Sequence, residues 1–241
     1  MTDGFSAPHL RTARSQGFQV ALAVSLYGVS FGALSVALGF SVGQTMVLSL
    51  LMFSGASQFA FIGIVASGGA AAVGAAIASA GLLGARNGLY ALTMSPIVGR
   101  GFFRRVLAAH LTVDESTAVA IAQEGRQASQ HGFWATAVSL YVGWNLSTLA
   151  GALAGDALGD VKTWGLDAIA AAAFLALLWP RLTELEPIVV AVVAAAVTVV
   201  LIPTVPAGIP VLCAAGVGIV AGLYRHRVAP HRPEPGEAGA R

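Results

Sequence analysis

The chain has 241 residues, of which 56% are hydrophobic and only 10% charged, with a net charge of +2. That balance excludes a soluble globular domain, and the thirteen Lys and Arg are spread over tails and short loops without the dense basic stripe that nucleic acid requires. Between Arg14 and Arg86 there is no Asp, Glu, Lys or Arg at all, and a membrane pass needs only about 20 apolar residues, so the chain's solvent is the lipid bilayer.

Residues 1–16 are polar and read as a cytoplasmic tail, since the apolar run behind them is longer than a cleaved signal allows. Apolar segments follow at about 17–40, 42–66, 70–95, 133–155, 166–180, 187–204 and 207–224, taken in windows of about 20 residues. AAAFLALLW and IVVAVVAAAVTVVLI are apolar on every side, which excludes the alternating strands of a membrane barrel. The predicted fold is all-α, a polytopic transmembrane helical bundle over 17–224, with 225–241 a disordered tail rich in Pro, Gly and charge. The single cysteine, Cys213, can form no internal disulfide.

Charge bias sets the orientation. Arg11 and Arg14, then Arg100, Arg104 and Arg105, then Arg181, then Arg225 and Arg227 all favour the cytoplasm, and so do both termini. Three full passes between the first two clusters would put the second outside. Parity therefore requires either that one early segment dips in and returns or that the charge rule is broken there. Later, 133–155 exits, the loop with Asp156, Asp160 and Lys162 lies outside, and the last two segments bring the tail back.

The second segment is the one predicted to be broken or re-entrant. Its centre reads FSGASQF, Phe53 to Phe59, where Gly55 and the flanking serines weaken a helix and expose backbone groups. Breaks at membrane depth persist only where they line a cavity or are buried in protein, and in transporters they build substrate sites. Gly55, Ser57 and Gln58 are candidate substrate contacts on that ground. A packing crossing is the plain alternative.

Arg86 closes the charge-free interval in LLGARNGLYAL, with Asn87 beside it and Tyr90 four residues on along the same face. Such an arginine either snorkels to the interface, holds a substrate carboxylate, or pairs with an acid such as Asp114. Residues 106–124 are predicted as one helix that puts His110 and Asp114 on a shared face with Glu115 beside them. Inside the bundle, those carboxylates would suit proton coupling or ammonium binding; in solvent they are a charged face. Gly143, Ser147, Gly151 and Gly155 form a ladder of small residues for helix packing, repeated by Gly28 with Gly32 and by Gly218 with Gly222. Tyr141, Asn145 and Thr148 make a polar stripe on the same helix as that ladder, serving as interhelical glue or as ligand contacts.

No G-x-x-x-x-G-K-[ST], H-E-x-x-H, C-x-x-C or G-x-S-x-G motif occurs, so no cofactor, metal or direct use of ATP is expected, and the chain is not read as an enzyme. The blocks FSGASQFAFIGIVASGG, LLGARNGLYALTMSP, LTVDESTAVA, LYVGWNLSTLAGALAG and WGLDAIAAAAFLALLWP, in this order, resemble the large subunit of the azaleucine-resistance (AzlC) family of branched-chain amino acid exporters. Where that family usually has R-H before L-Y, Asn87 follows Arg86 here, and Gly84 stands where the family often has asparagine. The resemblance implies export of valine, leucine, isoleucine and methionine across a bacterial inner membrane, jointly with a small membrane subunit of the AzlD type.

In the reading that results, Gly55, Ser57 and Gln58 meet the polar end of the amino acid, Arg86 holds its carboxylate, Asp114 or Glu115 takes the ammonium or a proton, and Asn87, Tyr90 and Asn145 complete the site. Phe53, Phe59 and Phe61 would wall an apolar pocket that discriminates weakly between aliphatic chains. Two other classes stay open. A channel would use the broken second segment as its filter, and a membrane enzyme would need the His110, Asp114 and Glu115 set.

Overall fold

A computed structural model describes residues 7–158, 175, 178, 179, 182–205 and 209–228. Among them the secondary structure is helical throughout, in two units that divide at residues 175 and 176. The first unit holds α1 (Ala7–Ala37), α2 (Val42–Leu51), α3 (Gly55–Gly68), a 3-10 turn (Gly69–Ala72), α4 (Val73–Met94), α5 (Phe102–Leu111), α6 (Asp114–Ile121) and α7 (Arg126–Leu158). The second holds α8 (Leu185–Leu201) and α9 (Ile209–Val228). The helical membrane protein expected from composition is thus present. The segment at 166–180, apart from residues 175, 178 and 179, lies outside the described residues, as do Asp160, Lys162, Arg181 and the tail from 229.

The frame of the first unit is α1 against α7. Gly28 faces Trp144, Ser147 and Thr148, Gly32 faces Thr148 and Ala152, and Gly155 faces Ala33, so both helices run in the same direction. Gly143 and Gly151 meet Ser25 and Val29 from the other side, so the predicted ladder does its packing here. Small residues let the two backbones touch where longer ones would hold them apart. Nothing lies within 4 Å of a Cβ placed at Gly218 or Gly222 on α9, so that pair packs against no described residue.

The second predicted segment is two helices with a break at Met52–Ser54. Ser41 and Gln44 start α2 with a reciprocal cap, Ser41 N–H to Gln44 Oε1 at 2.8 Å and Gln44 N–H to Ser41 Oγ at 3.2 Å. From there α2 runs back along α1 and α7. Thr45 donates to Ser35 Oγ (2.8 Å), Ser49 to Thr148 Oγ1 (3.4 Å), and Leu50 O accepts from Tyr141 OH (3.3 Å). After the break α3 returns the way α2 came, for Phe59 stacks edge-on to Phe31 (5.4 Å) and Phe61 approaches Phe40 (6.4 Å). The segment is therefore a re-entrant hairpin. At 10 and 14 residues its arms are about 15 and 21 Å long, each short of the ~30 Å hydrocarbon core.

Gly69, at φ 59°, turns the chain over into α4. That helix runs antiparallel to α3, with Gly84 against Ser57, and its end is tied to the start of α7 by Gln130 Nε2 on Ile97 O (2.9 Å) and Trp134 Nε1 on Val98 O (3.3 Å). Then α5 climbs from Arg104, whose guanidinium lies 5.3 Å over the Trp134 ring, to His110 beside Leu50. The chain breaks again at Thr112–Val113, and α6 descends until Gln123 donates to Gln16 Oε1 (2.8 Å).

Helix 106–124 is thereby corrected: it is the tip and arms of a second hairpin, entering from the opposite end. Hydroxyls hold this break open, with Thr112 Oγ1 donating to Ala108 O (2.6 Å) and Val113 N–H donating to Ser116 Oγ (3.0 Å), which satisfies backbone groups that a continuous helix would have paired. His110 and Asp114 lie on either side of the break and share no helix face.

A helix followed by a hairpin entering where that helix ends thus occurs twice, as α1 with α2–α3 and, inverted, as α4 with α5–α6. The parity conflict disappears with it. Because the second segment returns, α4 brings Arg100, Arg104 and Arg105 to the end where Arg11 and Arg14 lie, and Arg14 Nη2 sits 3.1 Å from His131 Nδ1 near the start of α7. Two boundaries also move. Residues 7–16 are already the first turns of α1, and Asp156, expected in a loop, is on the last turns of α7. In the second unit α9 continues past residue 225 to Val228, Cys213 is exposed, Arg225 reaches Glu186 across α8 and α9 (3.6 Å), and α8 has no buried residue, as a helix facing lipid would.

Candidate functional site at the two hairpin tips

The tips of the hairpins meet. His110 Nε2 lies 3.0 Å from Leu50 O, and since a carbonyl only accepts, the imidazole carries its proton on Nε2. Its ring stands edge-on to Tyr141 (5.6 Å), which in turn stands edge-on to Phe53 (5.0 Å). A helix that stops at mid-bundle leaves its last carbonyls without partners. Here Leu50 O is served twice, by His110 and Tyr141, while Leu48 O takes the Met52 N–H and Gln58 Nε2 (3.2 Å).

Beside the tips is a cavity of about 380 Å³. The first break supplies Leu51, Met52, Phe53, Ser54 and Ser57, α4 supplies one face from Ile77 to Asn87, and α5 supplies Ala109 and His110 with Thr112 beyond. Its walls are chiefly apolar, and its volume falls in the range of about 300–1,000 Å³ usual for small-molecule sites. The polar groups are few and convergent. Ser54 and Ser57 share a hydrogen bond (3.1 Å), no side chain caps the first amides of α3, and Asn87 Oδ1 is buried without a partner.

Of the sequence candidates, Ser57 and Asn87 are on the cavity wall. Gly55 lies under Trp144, where a Cβ would come within 3.3 Å of the indole, and Gln58 and Asn145 are buried away from the cavity. Tyr90 is half-buried on α4, outside the wall. Arg86 Nη1 pairs with Asp114 Oδ2 at 3.0 Å, so the guanidinium is engaged by the first residue of α6. Glu115 follows it, half-buried. Phe59 and Phe61 pack on Phe31 and Phe40, leaving Phe53 as the pocket's phenylalanine. Ser54 and His110 also line the cavity; the sequence reading placed Ser54 only beside Gly55 and His110 only in a catalytic set with Asp114 and Glu115, not among the substrate contacts. Ser54 was visible beside Gly55, but nothing local pointed His110 at a carbonyl 60 residues away.

Among the described residues, no group of three or more His, Cys, Asp or Glu is placed to hold a metal ion. The two donors on Leu50 O make a stability prediction. His110→Ala and Tyr141→Phe each leave one donor and are expected to cost about 0.5–1.5 kcal/mol, whereas the double variant leaves the Leu50 carbonyl with neither donor and should cost more than the sum. Thermal unfolding of the three variants measures this; strict additivity would mean the carbonyl has another donor.

A family model described as AzlC protein matches residues 19–158, more than half of the chain. No match is found among curated proteins or among solved structures.

Proposed function

The chain belongs to the AzlC family, a family associated with membrane transport, and we propose that it is an inner-membrane secondary transporter exporting valine, leucine, isoleucine and methionine together with a small subunit of the AzlD type. The observation that carries this reading is the cavity between two hairpins that enter from opposite ends. Half-helix ends at the bilayer midplane present unpaired amides to a carboxylate, and inverted units give a site that opens alternately to each side.

The amino acid's carboxylate lies at the start of α3, against its free amides and the hydroxyls of Ser54 and Ser57, with the Asn87 amide alongside. Phe53, Ile77 and Ala80 take the aliphatic side chain. Because one methylene is worth only about 1–3 kcal/mol in such a wall, several branched chains pass. Arg86 and Asp114 form the coupling pair that links α4 to the second hairpin, with Glu115 beside them. The arginine-rich end faces the cytoplasm.

Cells expressing the chain with its small partner and loaded with a valine-containing dipeptide should release valine faster than cells lacking either. In that assay Ser57→Ala and Asn87→Ala, present at normal levels in the membrane, are expected to slow efflux at least tenfold. Wild-type rates in both would sink the site assignment, and no valine, leucine, isoleucine or methionine efflux from the intact pair would sink the exporter reading. Opposed half-helices also build pores, and saturable, stereospecific efflux separates a carrier from a channel.

A further inference from the structure

His110 is the one ionisable side chain among the residues that line the cavity; the other polar ones, Ser54, Ser57, Asn87 and Thr112, hold no charge. Its imidazole is half-buried at the joint of the two tips, and an ionisable group at that depth is a functional position by default. With Nε2–H directed at Leu50 O, the other ring nitrogen of the neutral imidazole is a bare acceptor. No described residue donates to it. Phe53 and Tyr141 stand beside the ring, with centroids at 6.4 and 5.6 Å, but phenylalanine has no donor and the Tyr141 hydroxyl donates to Leu50 O. Nδ1 is therefore left to the solute.

The solute has a group to match. An amino acid with its carboxylate at Ser54 and Ser57 carries its ammonium on the adjoining carbon, and Ser54 follows Phe53, whose ring approaches His110. An ammonium donates three hydrogen bonds and accepts none. The charged groups of the surrounding helices are all off the cavity wall. Neither α2 nor α3 has one, α7 brings Tyr141, Arg86 on α4 is paired with Asp114 at the start of α6, Glu115 follows it, and the arginines of α5 lie at its far end. The charge state of His110 is thus the one that a bound ammonium meets directly.

We propose that His110 Nδ1 accepts a hydrogen bond from the ammonium group of the bound amino acid, so that His110 selects for an amine and a proton on Nδ1 competes with the solute. The inference rests on the exporter reading. A neutral imidazole gives the ammonium a charge-assisted hydrogen bond, whereas an imidazolium confronts it with an N–H and a like charge. Both forms keep Nε2–H on Leu50 O, so the tips stay joined while the acceptor is lost.

The test is equilibrium binding of labelled L-leucine to the full chain, purified in detergent with its small partner, beside 4-methylpentanoate, which is leucine without the amine. Between about pH 5.5 and 7.5 both solutes keep their charges. Leucine should bind more weakly as the pH falls, approaching about tenfold per unit once the imidazole is protonated, and 4-methylpentanoate should show no such loss. His110→Gln keeps a donor for Leu50 O but takes no proton. It should bind leucine less tightly, with an affinity that is level across the same range.

A leucine profile that His110→Gln leaves unchanged overturns the inference alone. So does a wild-type affinity for leucine that is level with pH, or that falls equally for 4-methylpentanoate, a comparison that needs no variant. If neither leucine nor valine binds at any pH, the exporter reading falls and this inference with it.

Discussion

Asp114→Asn is expected to stop efflux almost completely, by a hundredfold or more, and to lower stability by about 1–3 kcal/mol. Asparagine keeps the shape of the side chain but leaves Arg86 with no opposite charge in a low-dielectric setting. Breaking a fully buried ion pair costs about 3–5 kcal/mol, and the discount applies because the side chains here are 35% and 26% exposed. Arg86→Gln should do the same from the other side. The double variant, neutral on both sides, should recover most of the lost stability, since the large cost of a single change is the uncompensated charge and not the missing attraction. It should not recover transport, because the pair is the link between α4 and the tip of the second hairpin. Melting temperatures and initial efflux rates of the three variants decide this, and normal efflux from the double variant would remove the pair from the transport cycle.

The pair also shows how far the sequence was legible. A charge in an apolar interval must be answered, and Asp114 was one of its possible answers, but choosing among them needed the fold. The first break could be read because Gly55 and its serines are locally unsuited to a continuous helix. The direction of the chain after it could not, since Phe61 on Phe40 and Gln58 on Leu48 are tertiary contacts that no local pattern encodes. Arginine parity carried that information instead, and it asked for one returning segment where the structure has one.

The second break was missed because LTVDEST contains neither Gly nor Pro, and the helix propensities of Thr, Val and Ser differ by only tenths of a kcal/mol. The available signal was the acidic first turn of α6, Asp114 and Glu115, which marks a helix start as readily as it marks a helix surface. With that break unread, the inverted repeat was invisible and His110 stood on the wrong face.

Gly151→Val and Gly32→Val are expected to leave little or no folded protein. A Cβ at Gly151 would run into the Val29 carbonyl and one at Gly32 into that of Thr148, both backbone atoms that no rotamer change can move. The helices would have to separate along their length, forfeiting close packing that in lipid has no hydrophobic effect to replace it, a loss of about 3 kcal/mol or more. Gly88→Ala is the contrasting change. It adds a Cβ on α4 with nothing within 4 Å, and should stabilise by about 0.5–1 kcal/mol through helix propensity alone. Folded yield and melting temperature in detergent compare the three. The parallel seam of α1 and α7 is refuted if valine at 151 and 32 is tolerated as well as alanine at 88. Its loss also removes the wall on which α2 ends, since Ser35, Thr148 and Tyr141 hold Thr45, Ser49 and Leu50 in place. A seam variant rescued at low temperature should therefore be inactive even with Ser57, Asn87 and Arg86 untouched, because the first hairpin would have nothing to set its tip against.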